Sequence, residues 1–135
     1  MRILVIDDEE SARDLASRSL ARLGFSVRAA ASGEEGVTIA RSIVPSLILL
    51  DINLPDQSGW DVLAALQTAD ETAGIPIIVH SVDDDRQRAI GLGACDLIVK
   101  PADRDVLAAA ALRFVRTTKT ETASAGLPIS IAKAG

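Results

Sequence analysis

Five polar side chains stand directly after short apolar segments of the chain, where the end of a buried strand can present them for chemistry. These are Asp7, Asp8, Asp51, Ser81 and Lys100. Asp51 follows the unbroken apolar run at 47–50, which is typical of a strand covered on both faces of a parallel sheet. Such sheets bind ligands beyond the carboxyl ends of their strands. We therefore expect the five side chains to meet at one edge.

Three of these side chains are carboxylates, and their expected proximity predicts a metal site. Carboxylates packed closely together repel one another, and a hard divalent cation with oxygen ligands relieves that repulsion. We predict that Asp7, Asp8 and Asp51 bind Mg²⁺, with the backbone carbonyl of Asn53 as a further ligand. The Asn53 side chain can in addition hold a water molecule.

The remaining polar groups fit a reaction at phosphorus. A carboxylate can attack phosphorus when a metal and a lysine screen its charge from the phosphoryl oxygens, which makes Asp51 the candidate phosphate acceptor. Ser81 can donate its hydroxyl to one phosphoryl oxygen, and Lys100 can neutralise another. Asp51, Ser81 and Lys100 are accordingly the predicted catalytic residues.

The elements that must position these groups alternate along the chain. Strands are predicted at residues 3–6, 25–29, 47–51, 75–81 and 97–99. A helix follows each of them, at about 11–23, 32–43, 58–69, 85–91 and 103–114. This alternation predicts an α/β fold, a flavodoxin-like (βα)5 doubly wound parallel sheet with strand order 2-1-3-4-5. The fourth helix has two glycines near its end and a thin apolar face, so we expect it to move most easily.

These motifs together resemble a CheY-like response regulator receiver domain over residues 1–116. The matching segments are Asp7-Asp8, Asp51-Ile52-Asn53-Leu54-Pro55 with Gly59, Ser81, Gly93-Ala94-Cys95-Asp96 and Lys100-Pro101. The resemblance implies that Asp51 accepts a phosphoryl group from a histidine kinase or a histidine phosphotransfer protein. It also implies a requirement for Mg²⁺ and a cis peptide bond between Lys100 and Pro101.

Four positions are expected to modulate the reaction. The family has an aromatic residue on the fifth strand that swings inward with the switch hydroxyl, but Leu97 occupies that position here. The family usually has a small residue after the hydroxyl, whereas Val82 is branched, and we hypothesise that it narrows access to phosphorylated Asp51. Asn53 and Asp83 occupy positions that tune hydrolysis of the acyl phosphate in the family. Asp83 can orient an attacking water, or it can simply stabilise a helix N-terminus.

Composition limits the partners and the location. At 135 residues the chain suits one domain, and its net charge of -5 argues against a nucleic-acid surface. One cysteine and a first apolar run too short for a signal peptide favour a cytoplasmic protein without a membrane partner. Residues 117–135 lack a sustained period and are predicted to be a flexible tail. The alternation of Leu127, Ile129 and Ile131 leaves a short added strand as the alternative.

Three functions compete for this pattern. The first is a phosphorylation-driven switch of a two-component system or phosphorelay that signals to an unknown protein target. The second is a pseudo-receiver that binds partners without phosphorylation. The third is a haloacid-dehalogenase-like phosphatase, but such enzymes usually place a second aspartate where this chain has Asn53. His80 is interpreted as a packed side chain without a catalytic role.

Overall fold

A computed structural model describes the backbone of residues 1–126 and the side chains of residues 1–115. Within these residues, five parallel strands lie in the order β2-β1-β3-β4-β5, which confirms the predicted flavodoxin-like sheet. The strands are β1 (Arg2–Ile6), β2 (Ser26–Ala30), β3 (Leu47–Asp51), β4 (Ile77–Ser81) and β5 (Asp96–Val99). The helices are α1 (Glu10–Ala21), α2 (Gly33–Ile43), α3 (Gly59–Thr68), α4 (Arg86–Gly91) and α5 (Arg104–Gly126).

The register of the central strands determines which side chains become neighbours. Ile6 of β1 lies opposite Leu50 of β3. Because both strands run in the same direction, Asp7, which follows β1, and Asp51, which ends β3, are brought side by side. Ser81 ends β4, which pairs with the other edge of β3. The strand ends therefore gather the predicted site at one edge of the sheet.

Two apolar clusters cover the two faces of the sheet, and β3 contributes to both. Ile48 and Leu50 pack in one cluster with residues of α2 and α3. Leu47 and Leu49 pack in the other with residues of α1 and α5. Every residue of β3 is buried. Each buried Leu or Ile side chain contributes about 1.5–3 kcal/mol to the free energy of folding. The packing of β3 therefore fixes the position of the aspartate at its end.

The loop after β3 folds back tightly against the strand end. A Cβ atom on Gly59 would lie 2.4 Å from the backbone oxygen of Asp51 and 2.4 Å from Cα of Ile52, so a side chain cannot be accommodated there. The Gly59 N–H donates to the Ile52 carbonyl at 2.7 Å. Asn53 and Ser58 form an isolated antiparallel bridge across the same loop. The glycine therefore allows α3 to begin directly beside Asp51.

The same loop is tied to the start of α2. The carboxylate of Asp56 accepts hydrogen bonds from the backbone N–H groups of Gly33 and Glu34, both at 2.9 Å. These bonds, with that from Glu34 the stronger, lower the pKa of Asp56. The Ser32 hydroxyl accepts from the next amide, Glu35 N–H, at 3.2 Å. Side chains thus satisfy the N–H groups of the first turn of α2, and two of them depend on the β3–α3 loop.

The last helix extends beyond the boundary expected for the flexible tail. α5 continues through Gly126, whereas the sequence pattern placed the start of the tail at residue 117. Residues 117–126 contain four threonines and two alanines, so neither an apolar period nor helix propensity in the sequence signals this extension. The alternating Leu127, Ile129 and Ile131 lie outside the described residues. The division into a domain and a tail stays a prediction.

Candidate functional site

Asp7, Asp8 and Asp51 lie together at the carboxyl edge of the sheet. One carboxylate oxygen of each lies within 4.8 Å of the others. Asp7 and Asp51 are buried, with 2% and 3% of their surface exposed, whereas Asp8 faces solvent. Carboxylate oxygens at the edge of solvent are the ligands that Mg²⁺ prefers, since this ion keeps several of its water molecules. The donor set therefore fits the predicted cation.

The ammonium group of Lys100 bridges these acids. Its Nζ lies 2.9 Å from Asp7 Oδ2, 3.5 Å from Asp51 Oδ1 and 3.7 Å from Glu9 Oε1. Burial alone would lower the pKa of Lys100, but its hydrogen bond to Asp7 and the three negative charges outweigh that effect and raise the pKa. The amine is therefore held in its cationic form. The peptide bond between Lys100 and Pro101 is cis, which is the geometry implied by the resemblance.

Asp51 carries the most informative electrostatic perturbation in the site. Burial is the largest cause that raises its pKa, and the charge of Asp7 adds to it. A hydrogen bond from the Asn53 N–H at 3.2 Å and the charge of Lys100 act in the opposite direction. The pKa rises from 3.8 to about 6. The carboxylate form still prevails at neutral pH, but its charge is poorly compensated, and an added cation would stabilise it.

Ser81 is held close to this site by bonds on both sides. Its backbone carbonyl accepts from the Lys100 N–H at 2.7 Å. Its hydroxyl accepts from the Asp83 N–H at 3.2 Å and so retains its own hydrogen for donation. Ser81 is buried at 3% exposure, whereas Asp83 faces solvent. The serine hydroxyl therefore keeps a hydrogen to donate, and Ser81 lines a cleft together with Asp8 and Asn53.

The other expected modulators occupy different surroundings. Leu97 is buried in the apolar cluster that packs on α2 and α3. Val82 is 58% exposed and lines a cavity of about 360 Å³ together with His80 and Lys100. Burial, followed by the charge of Lys100, lowers the pKa of His80 to about 4. Its Nε2 has no hydrogen-bond partner among the described residues, so His80 is a neutral, packed side chain.

Sequence reasoning missed two side chains that the fold brings to the site. Glu9 lies within ion-pair distance of Lys100, and its position directly after the acidic pair was the available signal. Arg88 of α4 lies over the ring of Trp60 at the start of α3, with its guanidinium carbon 4.3 Å from the ring centroid. No spacing in the sequence connects these two residues, because they lie on different helices.

A family model described as the response regulator receiver domain matches residues 3–112. The chain belongs to this family, whose members are the phosphoacceptor switches of two-component signalling. The family and the fold agree with the site described above, in which acids and a lysine from separate strands meet.

The chain is similar to several regulators. It is 36% identical to the transcriptional regulatory protein HprR of Escherichia coli over 101 residues, covering 75% of this chain and 45% of HprR. It is 38% identical to AfsQ1 of Streptomyces coelicolor over 130 residues, covering 92% of this chain and 56% of that protein. Its fold matches the chemotaxis response regulator CheY4 of Vibrio cholerae with a TM-score of 0.79 and 26% identity, over 84% of this chain and 97% of CheY4.

The chain spans about half the length of the curated relatives it matches. Among residues 1–126, no helix combines the length and hydropathy needed to cross a bilayer.

Proposed function

We propose that Asp51 accepts a phosphoryl group from a phosphohistidine of a histidine kinase or a histidine phosphotransfer protein. The observation that carries this proposal is the contact of Lys100 Nζ with both Asp7 and Asp51 in a cluster of three carboxylates. A buried carboxylate that is ionised at neutral pH, beside a fixed cation, is a nucleophile placed next to a group that can neutralise the charge of its substrate.

The transfer exchanges one bond at phosphorus for another. An oxygen of Asp51 forms the new P–O bond while the P–N bond to the donor imidazole breaks, and the electron pair of that bond leaves with the imidazole. During transfer, Lys100 neutralises charge on the phosphoryl oxygens and Ser81 donates a hydrogen bond to one of them. Attack of water on the acyl phosphate later restores the Asp51 carboxylate and releases inorganic phosphate.

The metal required for this reaction is proposed to be Mg²⁺. Asp7, Asp8 and Asp51 would hold it, together with the backbone carbonyl of Asn53. When bound, the ion would supply positive charge between the carboxylates and the phosphoryl oxygens. The raised pKa of Asp51 supports this assignment. A raised pKa means that the carboxylate charge is poorly compensated, and a nearby metal cation would stabilise that charge.

The output is proposed to pass through contacts with another protein. The acidic chain offers little attraction to nucleic acid, and we propose a cytoplasmic switch with no membrane partner. HprR and AfsQ1 are transcriptional regulators by name, and each is about twice as long as the segment matched here. Transcriptional output is therefore a property of those whole proteins.

Intact-mass spectrometry with a small phosphodonor tests the proposal. Wild-type protein incubated with acetyl phosphate and Mg²⁺ should gain one phosphoryl group, and no gain should occur in EDTA. Asp51→Asn should gain none, whereas the control Asp70→Asn, which removes an exposed acid after α3, should behave as wild type. No adduct on folded wild type would favour the pseudo-receiver, and repeated turnover of phosphomonoesters would favour the phosphatase.

A further inference from the structure

A cleft connects the predicted phosphorylation site to α4. Its lining includes three residues of the site, Asp8, Asn53 and Ser81. The same lining includes Trp60 at the start of α3 and Arg88 of α4. The volume of the cleft is about 590 Å³, and it is open to solvent. Arg88 therefore lines the same open cleft as the residues that surround Asp51 in the predicted site.

The present contact of Arg88 is a weak one. Its guanidinium lies over the half-buried ring of Trp60, and its own side chain is exposed. A cation over an aromatic ring at an exposed site is worth roughly 0.5–1 kcal/mol. No carboxylate lies within ion-pair distance of Arg88 among the described side chains. A strong anion entering the cleft would therefore compete successfully for this guanidinium.

Among the described residues, the charges that line the cleft leave Arg88 as the group that an anion there would contact. Its lining contains three exposed acids, Asp8, Asp83 and Asp85, and Arg88 is the cation among the described residues that line it. A phosphoryl group adds about −1.5 to −2 further charge and three acceptor oxygens. Lys100 is already shared among three carboxylates. A planar guanidinium can donate two parallel hydrogen bonds to the phosphoryl oxygens that Lys100 does not contact.

The short length of α4 and its contact with β5 would let the helix turn when Arg88 is displaced. It has six residues, too few to be stable without packing, and Ala89 is its buried residue. Its first residue, Arg86, is anchored to β5 through an ion pair with Asp96 and a hydrogen bond to the Leu97 carbonyl at 3.3 Å. A displacement of Arg88 toward the strand ends would accordingly rotate α4 about this anchor.

We propose that Arg88 binds the phosphoryl group on Asp51, leaves the ring of Trp60, and thereby turns α4. This inference rests on the proposed phosphorylation of Asp51. It gives the chain a route from the site to the surface that needs no aromatic residue on β5, where Leu97 is packed in the core. Arg88 is thus a phosphoryl-binding residue on the short helix α4.

The fluorescence of Trp60 tests this proposal, because it is the one tryptophan in the chain. Emission is recorded with Mg²⁺ alone, with Mg²⁺ and beryllofluoride as a mimic of the phosphoryl group, and with Mg²⁺ and acetyl phosphate. Intact mass measures phosphorylation in the same acetyl phosphate sample. Wild type should show a change in emission on adding either anion beyond that caused by Mg²⁺.

Variants of Arg88 assign the signal. Arg88→Met should still gain the phosphoryl group, but its emission should not respond, and beryllofluoride should bind about tenfold more weakly, as expected for loss of charge-assisted hydrogen bonds. Arg88→Lys, which keeps the charge but not the two parallel donors of the guanidinium, should lose less affinity for beryllofluoride. Arg41→Met, which removes an exposed arginine paired with Glu71, should match wild type.

Two results would overturn the proposal while leaving phosphorylation intact. The first is wild type that gains the phosphoryl group with no change at Trp60. The second is Arg88→Met that keeps the wild-type emission change and affinity. A folded chain that gains no phosphoryl group would overturn both this proposal and the proposed function.

Discussion

Replacing Asp51 with asparagine should stabilise the metal-free protein at neutral pH. The pKa of Asp51 is raised from 3.8 to about 6 in the folded chain. Below the lower value both states are protonated and there is no penalty, whereas above the higher value folding must keep a poorly compensated charge buried. A difference of roughly 2 pKa units sets an upper limit of about 3 kcal/mol, and solvent screening at the open edge of the sheet reduces the expected cost to about 1–2 kcal/mol. Asparagine has nearly the same shape and does not incur this cost.

The test is urea unfolding in EDTA from about pH 4.5 to about pH 7.5. The free energy of unfolding of Asp51→Asn relative to wild type should rise by about 1 kcal/mol across this range, because most of the titration of Asp51 occurs within it. Asp70→Asn, which neutralises an exposed acid, should show no such rise. Adding Mg²⁺ should stabilise wild type more than Asp51→Asn. A stability difference independent of pH would refute the account of burial and charge at Asp51.

Three further substitutions probe the parts around this aspartate. Lys100→Met leaves buried carboxylates without their cation, so urea unfolding should show the metal-free protein destabilised by about 3–5 kcal/mol. Unchanged stability would argue against the bridging of the site carboxylates by Lys100. Gly59→Ala should lower the free energy of unfolding by more than about 2 kcal/mol, because the new Cβ would lie 2.4 Å from backbone atoms. Gly74→Ala serves as the control, because a Cβ there would have no atom within 4 Å. Val82→Ala should speed both phosphorylation and dephosphorylation, measured by intact mass over time, and unchanged rates would show that Val82 does not narrow access to Asp51.

The sequence allowed the fold to be predicted because each strand of the sheet is marked locally. The apolar run at 47–50 lacks the alternation of an edge strand, whereas Phe25, Val27 and Ala29 alternate, and the structure places β2 at the edge. Parallel pairing then brings the carboxyl ends of the strands to one edge of the sheet, independently of the loop conformations. The contacts of Lys100 with Asp7 and Asp51 follow from the same rule, across nearly the whole length of the chain.

Features that depend on contacts between helices and loops could not be predicted in this way. The stacking of Arg88 on Trp60 joins two helices whose relative placement depends on the packed core, and neither residue carries a local signal of its partner. The anchoring of α2 by Asp56 joins residues more than twenty positions apart. The extension of α5 to Gly126 was missed because apolar periodicity reports packing of a helix, not its backbone hydrogen bonds.

The most direct test of the central claim is to locate the modified residue. Protein phosphorylated with acetyl phosphate and Mg²⁺ is reduced with borohydride, which converts an aspartyl phosphate to homoserine, and is then sequenced by tandem mass spectrometry. We predict homoserine at residue 51 and aspartate retained at residues 7 and 8. Homoserine at residue 7 or 8, or a phosphate on a hydroxyl side chain that resists borohydride, would contradict the assignment of Asp51 as the phosphoacceptor.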